Sequence, residues 1–82
     1  MSELNLEIIS AKGPVFKGQC HMAIVPSING EIGFMNNHES IMTRLKKGQI
    51  IIQDEKQSTI KEVDVDSGYA EMCNNKLIVL LD

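Results

Sequence analysis

The sequence predicts an all-β fold: a two-sheet, mainly antiparallel β-sandwich of about eight to ten short strands. Three observations carry this. β-branched residues are abundant, with 11 Ile, 5 Val and 2 Thr against only 3 Ala, a bias toward strands over helices. Apolar and polar residues alternate in several segments with the period of a half-buried strand. Turn residues recur between those segments at short spacing, and no stretch reads as a long helix. A closed barrel or a two-sheet sandwich accommodates that many strands in 82 residues, and residues 1–82 are read as a single β-sandwich domain.

Leu4 to Ile9 opens the pattern, with Leu4, Leu6 and Ile8 on one face and Asn5 and Glu7 on the other. Gly13-Pro14 marks a turn, Val15-Phe16-Lys17 a short edge strand, and Gly18 its end. Gln19 to Val25 is the next strand, stopped by Pro26, which cannot donate to a ladder. Asn29-Gly30 is a strong hairpin signal because both residues accept positive φ, and Glu31 to Met35 is the returning strand. Asn36-Asn37-His38-Glu39 reads as an exposed loop. Ser40 to Leu45 fits either a helical turn or a strand. Gln49 to Gln53 is a strand, and Ser58 to Val65 another, with Ile60, Val63 and Val65 facing inward. Asp66-Ser67-Gly68 interrupts it, and Tyr69 to Cys73 and Leu77 to Leu81 form a last hairpin across Asn74-Asn75. Core candidates are Leu6, Ile8, Ile24, Ile51, Val65 and Val79.

Composition excludes several classes. Eight basic against eleven acidic residues give a net charge of −3, which argues against nucleic acid or anionic lipid as main partner. Leu77 to Leu81 is the longest uncharged apolar run, far short of the roughly 20 residues of a membrane span. Met1-Ser2-Glu3-Leu4 shows no basic segment leading into an apolar one, so no secretory signal is expected. Cys20 and Cys73 lack the spacing of metal or redox motifs and are read as small buried hydrophobes.

Chemical motifs are sparse. Cys20 and His21 are neighbours on a predicted strand, so their side chains point to opposite faces and cannot form a dyad. Glu62-x-Asp64-x-Asp66 places carboxylates at alternate positions. Counted from Glu62, positions six and twelve of a calcium loop are Ser67 and Cys73 rather than Gly and Glu, which leaves a solvent-facing acidic stripe. Neither catalytic residues nor a metal or other cofactor site emerges. A small-ligand or metal-binding β-barrel module using His21, His38 and nearby carboxylates is the alternative reading.

One set of residues resembles a known family. Val25-Pro26, Gly30-Glu31-Ile32-Gly33-Phe34, His38 and Leu45-Lys46-Lys47-Gly48 resemble the N-terminal β-sandwich domain of the epsilon subunit of F-type ATP synthases. That family reads V-P-x-x-x-G-E-x-G-I/V-x-P-G-H-A-P-L-L-T-x-L-K-P-G at the same spacing. Phe16-Lys17-Gly18, Asp66-Ser67-Gly68-Tyr69 and the terminal Leu77 to Asp82 extend the likeness along the whole chain. Asn36-Asn37 stands where the family has Pro-Gly, Glu39-Ser40 replaces its Ala-Pro, and Lys47 its second Pro. Asn can supply the positive φ of the missing Gly.

The resemblance implies a non-catalytic central-stalk (rotor) subunit, not an enzyme, that couples c-ring rotation to the gamma subunit during proton-driven ATP synthesis. Its partners would be gamma and the c-ring. It would be a monomer when isolated and a peripheral part of the F1 sector on the cytoplasmic face of the bacterial inner membrane. By residue match, Glu31 and His38 would lie together at a c-ring-facing end with Ile28 near the hairpin tip, and Ser10 and Thr43 would fall near the gamma side. The family's two C-terminal regulatory helices would begin where this sequence ends, so the 82 residues are not expected to carry that arm.

Overall fold

The computed structural model describes residues 3–82. Met1 and Ser2, the start of the segment read above for a signal sequence, lie outside the described residues. Nine strands follow one another: β1 (Leu4–Ser10), β2 (Gly13–Cys20), β3 (Met22–Ser27), β4 (Gly30–Met35), β5 (Ile41–Leu45), β6 (Gly48–Gln53), β7 (Thr59–Val65), β8 (Gly68–Cys73) and β9 (Lys76–Leu81). The ladder runs β2-β1-β9-β8-β5-β3-β6-β7, with β4 added on β3. Between β5 and β3 the pairing thins to one register pair, Ser27 with Leu45. There the sheet folds over into a five-strand layer (β2, β1, β9, β8, β5) and a four-strand layer (β4, β3, β6, β7). All neighbours are antiparallel except β1 and β9, which run parallel.

Alternation decides what fills the space between the layers. Leu4, Leu6 and Ile8 of β1, Ala70 and Met72 of β8, and Leu77 and Val79 of β9 point inward from one side. Ala23 and Val25 of β3, Phe34 of β4, Ile50 and Ile52 of β6, and Val63 and Val65 of β7 meet them from the other. Burying one such aliphatic side chain stabilises the fold by roughly 1.5–3 kcal/mol.

Several expectations are corrected. Ile24 and Ile51 are half-buried on the outer face, where they are cross-strand partners. The inward places belong to Ala23, Val25, Ile50 and Ile52. Met22 to Val25 is apolar on both faces, so period two does not fix its phase. In β6, by contrast, the polar Gln49 and Gln53 share the parity of Ile51 and mark its face as the outer one. Ile60 is exposed; it differs in parity from Val63 and Val65 and cannot share their face. Cys73 is exposed for the same reason, Ala70 and Met72 having taken the inward positions. The chain does not run as one strand from Gln19 to Val25 but breaks at His21 and changes layer. Pro26 lies within β3 rather than ending it, its carbonyl accepting the Lys46 N–H at 2.8 Å. β2 continues through Pro14 and Gly18, which a sheet edge tolerates. The ambiguous Ser40 to Leu45 segment is a strand from Ile41.

Cys20 does behave as a buried hydrophobe. Its thiol is pushed up to about 11, first by burial and then by the charge of Glu3. A thiol reagent at pH 8 is expected to count one reactive cysteine, Cys73, in the folded chain and two after denaturation; two in the native state would show that the Cys20 site opens readily. The unfolded thiol ionises near 9.0, so between about pH 9 and 11 the unfolded chain holds fewer protons. Stability therefore falls as pH rises through that window.

Candidate protein-interaction surfaces

The register places the turns at two opposite ends. Gly30 pairs with Ser27, Ser27 with Leu45, Leu45 with Gly68, Gly68 with Leu81, Leu81 with Ser10 and Ser10 with Gly13. That row edges one end of the sandwich, and beyond it project the Ile28-Asn29, Lys46-Lys47 and Asp66-Ser67 turns. Ile28 is 52% exposed at its tip, and Glu31 is exposed one residue into β4. The turn is carried by positive φ at Gly30 (+112°), while Asn29 keeps ordinary backbone angles. Ser10 closes the neighbouring turn: its hydroxyl donates to the Gly13 carbonyl and accepts the Lys12 N–H, both at 3.2 Å.

His38 is not at this end. It follows β4, whose six residues span roughly 17 Å at ~3.3 Å per step, and so sits at the far end from Glu31. A strand with one turn before it and the next loop after it separates the two; the expected pairing of Glu31 with His38 is corrected on that ground. The His38 ring packs edge-on against buried Phe34, centroids 4.8 Å apart, and Nδ1–H donates to the Glu39 carbonyl at 2.9 Å. Asn37 takes φ +64°, the conformation expected where the family has Gly. Its N–H donates to Asn75 Oδ1 at 2.9 Å, and Asn75 Nδ2 in turn donates to the Glu3 carbonyl. These bonds tie down a loop that lacks the family's prolines.

An open polar cleft at the His38 end is lined in part by Glu3, Gln19, His21, Glu55 and Asn75, without His38. Among the described residues no three His, Cys, Asp or Glu side chains are grouped to hold a metal ion.

Sequence reading missed a surface on the outer side of the five-strand layer. The same register sets Arg44, Tyr69, Leu80 and Ile9 side by side across β5, β8, β9 and β1, with Met42, Glu71, Ile78 and Glu7 in the next row. Met42 is 63%, Tyr69 46% and Leu80 51% exposed. The Arg44 guanidinium lies over the Tyr69 ring, 5.7 Å from its centroid. Lys76 and Glu7 pair at 3.5 Å on the flank. Tyr69, Leu80, Ile9 and Ile78 are contiguous, with Arg44 and Glu7 at their edges and Glu71 set between Met42 and Ile78. A mixed apolar and charged surface of this kind can serve as a docking face. Thr43, between Met42 and Arg44, is buried with its hydroxyl 2.7 Å from that of Ser27.

The sequence profile described as "ATP synthase, Delta/Epsilon chain, beta-sandwich domain" matches residues 3–82. The chain belongs to that family. ATP synthase epsilon chains of Campylobacter fetus subsp. fetus and Campylobacter curvus are 34% and 35% identical to it over 82 residues, and that of Helicobacter pylori 29%. These matches take in 100% of this chain but 63% of the Campylobacter proteins and 65% of the Helicobacter one. The chain thus spans a little under two-thirds of their length. In the Euglena gracilis mitochondrial ATP synthase (OSCP/F1/c-ring, rotational state 1), one chain superposes with a TM-score of 0.88 at 13% identity. That superposition covers 99% of this chain and 51% of that one. A chain of the Tetrahymena thermophila mitochondrial central stalk and c-ring gives 0.79 at 9% identity, covering 98% and 63%. At these identities the likeness to the two chains is one of fold.

Proposed function

We propose that this chain is a non-catalytic rotor element of an F-type ATP synthase, the sandwich of an epsilon chain. In this reading the end bearing Ile28 and Glu31 rests on the polar loops of the c-ring. The outer face of Met42, Tyr69 and Leu80 lies against the gamma subunit. The unit, residues 1–82, carries rotation from ring to gamma during proton-driven ATP synthesis, as a peripheral part of F1 at the cytoplasmic face of a bacterial inner membrane. The row Arg44-Tyr69-Leu80-Ile9, with Met42 in the next row, carries the reading, because Met42, Tyr69 and Leu80 expose large hydrophobic side chains on one face, as a surface that receives a partner does. A close-packed interior suits the task, since it deforms little under load. Ser10, at the ring-side end of β1, is assigned to the border between the two contacts, Thr43 acts from within, and His38 is left out of the ring-facing set.

The contact at Glu31 is testable by charge reversal. Ring loops of basic and amide character would give its carboxylate charge-assisted hydrogen bonds, worth ~0.2–1 kcal/mol for an exposed pair. Glu31→Lys is expected to fold with stability within about 0.5 kcal/mol of wild type, to bind isolated c-rings more weakly, and to lose that difference as salt is raised. A variant that folds and binds the ring like wild type at low salt would remove Glu31 from the contact.

A further inference from the structure

The Ile28-Asn29 turn hangs on β5 by a chain of hydrogen bonds. The Asn29 N–H donates to Ser27 Oγ at 3.1 Å, the Ser27 and Thr43 hydroxyls are 2.7 Å apart, and Thr43 Oγ1 donates to the Arg44 carbonyl at 3.4 Å. Each hydroxyl can both donate and accept, so either can supply the proton of the middle bond. The Arg44 carbonyl also receives the Ile28 N–H at 2.9 Å. Residue 44 therefore holds the turn by its carbonyl and the outer patch by its side chain, which lies over Tyr69.

Both hydroxyls are buried, Ser27 at 0% and Thr43 at 7% exposure, beside a core that is otherwise aliphatic and aromatic. An Ala and a Val would fill much the same space without the cost of desolvating two polar groups. What the hydroxyls add is a fixed geometry for the turn, at the one register pair that joins the two layers.

We propose that Thr43 is a positioning residue for the ring-facing tip: without reaching the surface, its hydroxyl acts through Ser27 to fix the pose of Ile28 and Asn29, and so of Glu31 beyond them. This rests on the reading of the tip as a ring contact. A tip free to sample several poses would have to be ordered on binding, at a cost in affinity that a fixed turn avoids.

The test compares Thr43→Val, which removes the hydroxyl at nearly constant volume, with Thr43→Ser, which keeps it. Ser27→Ala, a smaller change, breaks the same chain from the turn side should Thr43→Val fail to fold. Amide hydrogen exchange is expected to quicken tenfold or more at Ile28 and Asn29 in Thr43→Val and in Ser27→Ala. Exchange in β8 and β9 should be unchanged, and Thr43→Ser should stay within twofold of wild type. Binding to isolated c-rings is expected to weaken three- to tenfold in the first two and to be retained in Thr43→Ser. Loss of protection throughout the sheet, or equal loss in Thr43→Ser, would make the pair merely structural and overturn the proposal. Unaltered exchange at Asn29, or unaltered ring binding while Ile28→Asp and Glu31→Lys bind poorly, would overturn it and leave the ring contact standing. If Ile28→Asp and Glu31→Lys themselves bind like wild type, the ring contact fails, and this inference with it.

Discussion

Replacing Gly68 by alanine is expected to cost about 2–6 kcal/mol, summing ~1–3 for overpacking and ~1–3 for a strained backbone. A chain of this size has roughly 4–12 kcal/mol in all, so the substitution would remove a large share of its stability and lower the denaturation midpoint in proportion. The reason is local. Gly68 has φ +155°, and a Cβ there would run into the Leu80 carbonyl oxygen, with Leu81 Cα only 3.1 Å away. Those are backbone atoms of β9, which cannot swing aside as a side chain can. Gly30 provides the control: its φ is +112°, yet nothing lies within 4 Å of its would-be Cβ. Gly30→Ala is expected to show only the backbone strain, ~1–3 kcal/mol. Urea denaturation of the two variants measures the difference, and a Gly68→Ala chain as stable as Gly30→Ala would refute the clash.

Leu80→Asp is expected to do the opposite, keeping the fold and losing the partner. Leu80 is half exposed in the middle of the outer row, cross-strand from Tyr69, so the free chain should lose no more than about 1 kcal/mol, the span of strand preference. Against gamma, the same carboxylate would be sealed in an apolar contact with no partner. Central interface positions of this kind cost 2 kcal/mol or more when disrupted, which is about 30-fold in Kd. Leu80→Ile should bind like wild type. Titration of gamma with the folded variants decides it: unchanged affinity in Leu80→Asp would place gamma on some other face.

Much of the fold is legible in the sequence because its signals are local. Leu4, Leu6 and Ile8 alternate with polar neighbours and are buried as that pattern requires. Asn74 and Asn75 adopt the positive φ of 52° and 60° expected of a tight turn. The misreadings have physical causes. Where a strand is apolar on both faces, as around Ile24, period two gives the alternation but not its phase. For Ile51 the phase was available, because Gln49 and Gln53 share its parity. Tyr69 and Leu80 face each other across the last hairpin, but the outer patch was invisible as a whole because Met42 and Ile9 join them only through the ladder order, which sets β5 and β1 on either side of that hairpin. The Ser27–Thr43 bond is likewise a product of the layer junction, and neither residue type announces burial. The separation of Glu31 from His38, by contrast, was available from strand length alone.

The place of β9 has a consequence for how the chain reaches this state. It is the ninth of the described strands, yet it is inserted between β1 and β8, and it runs parallel to β1. A nascent chain released only as far as Cys73 can form the β3–β4 hairpin and the β6–β7 pair, whose partners are neighbours in sequence. Its five-strand layer meanwhile has two unpaired edges where its centre belongs. Closing it joins the two described strands farthest apart in sequence, a pairing whose loop-closure entropy is expected to slow that step. Until it happens, Leu4, Leu6 and Ile8 lie uncovered on an open strand, the kind of segment that chaperones hold and that aggregates when they do not.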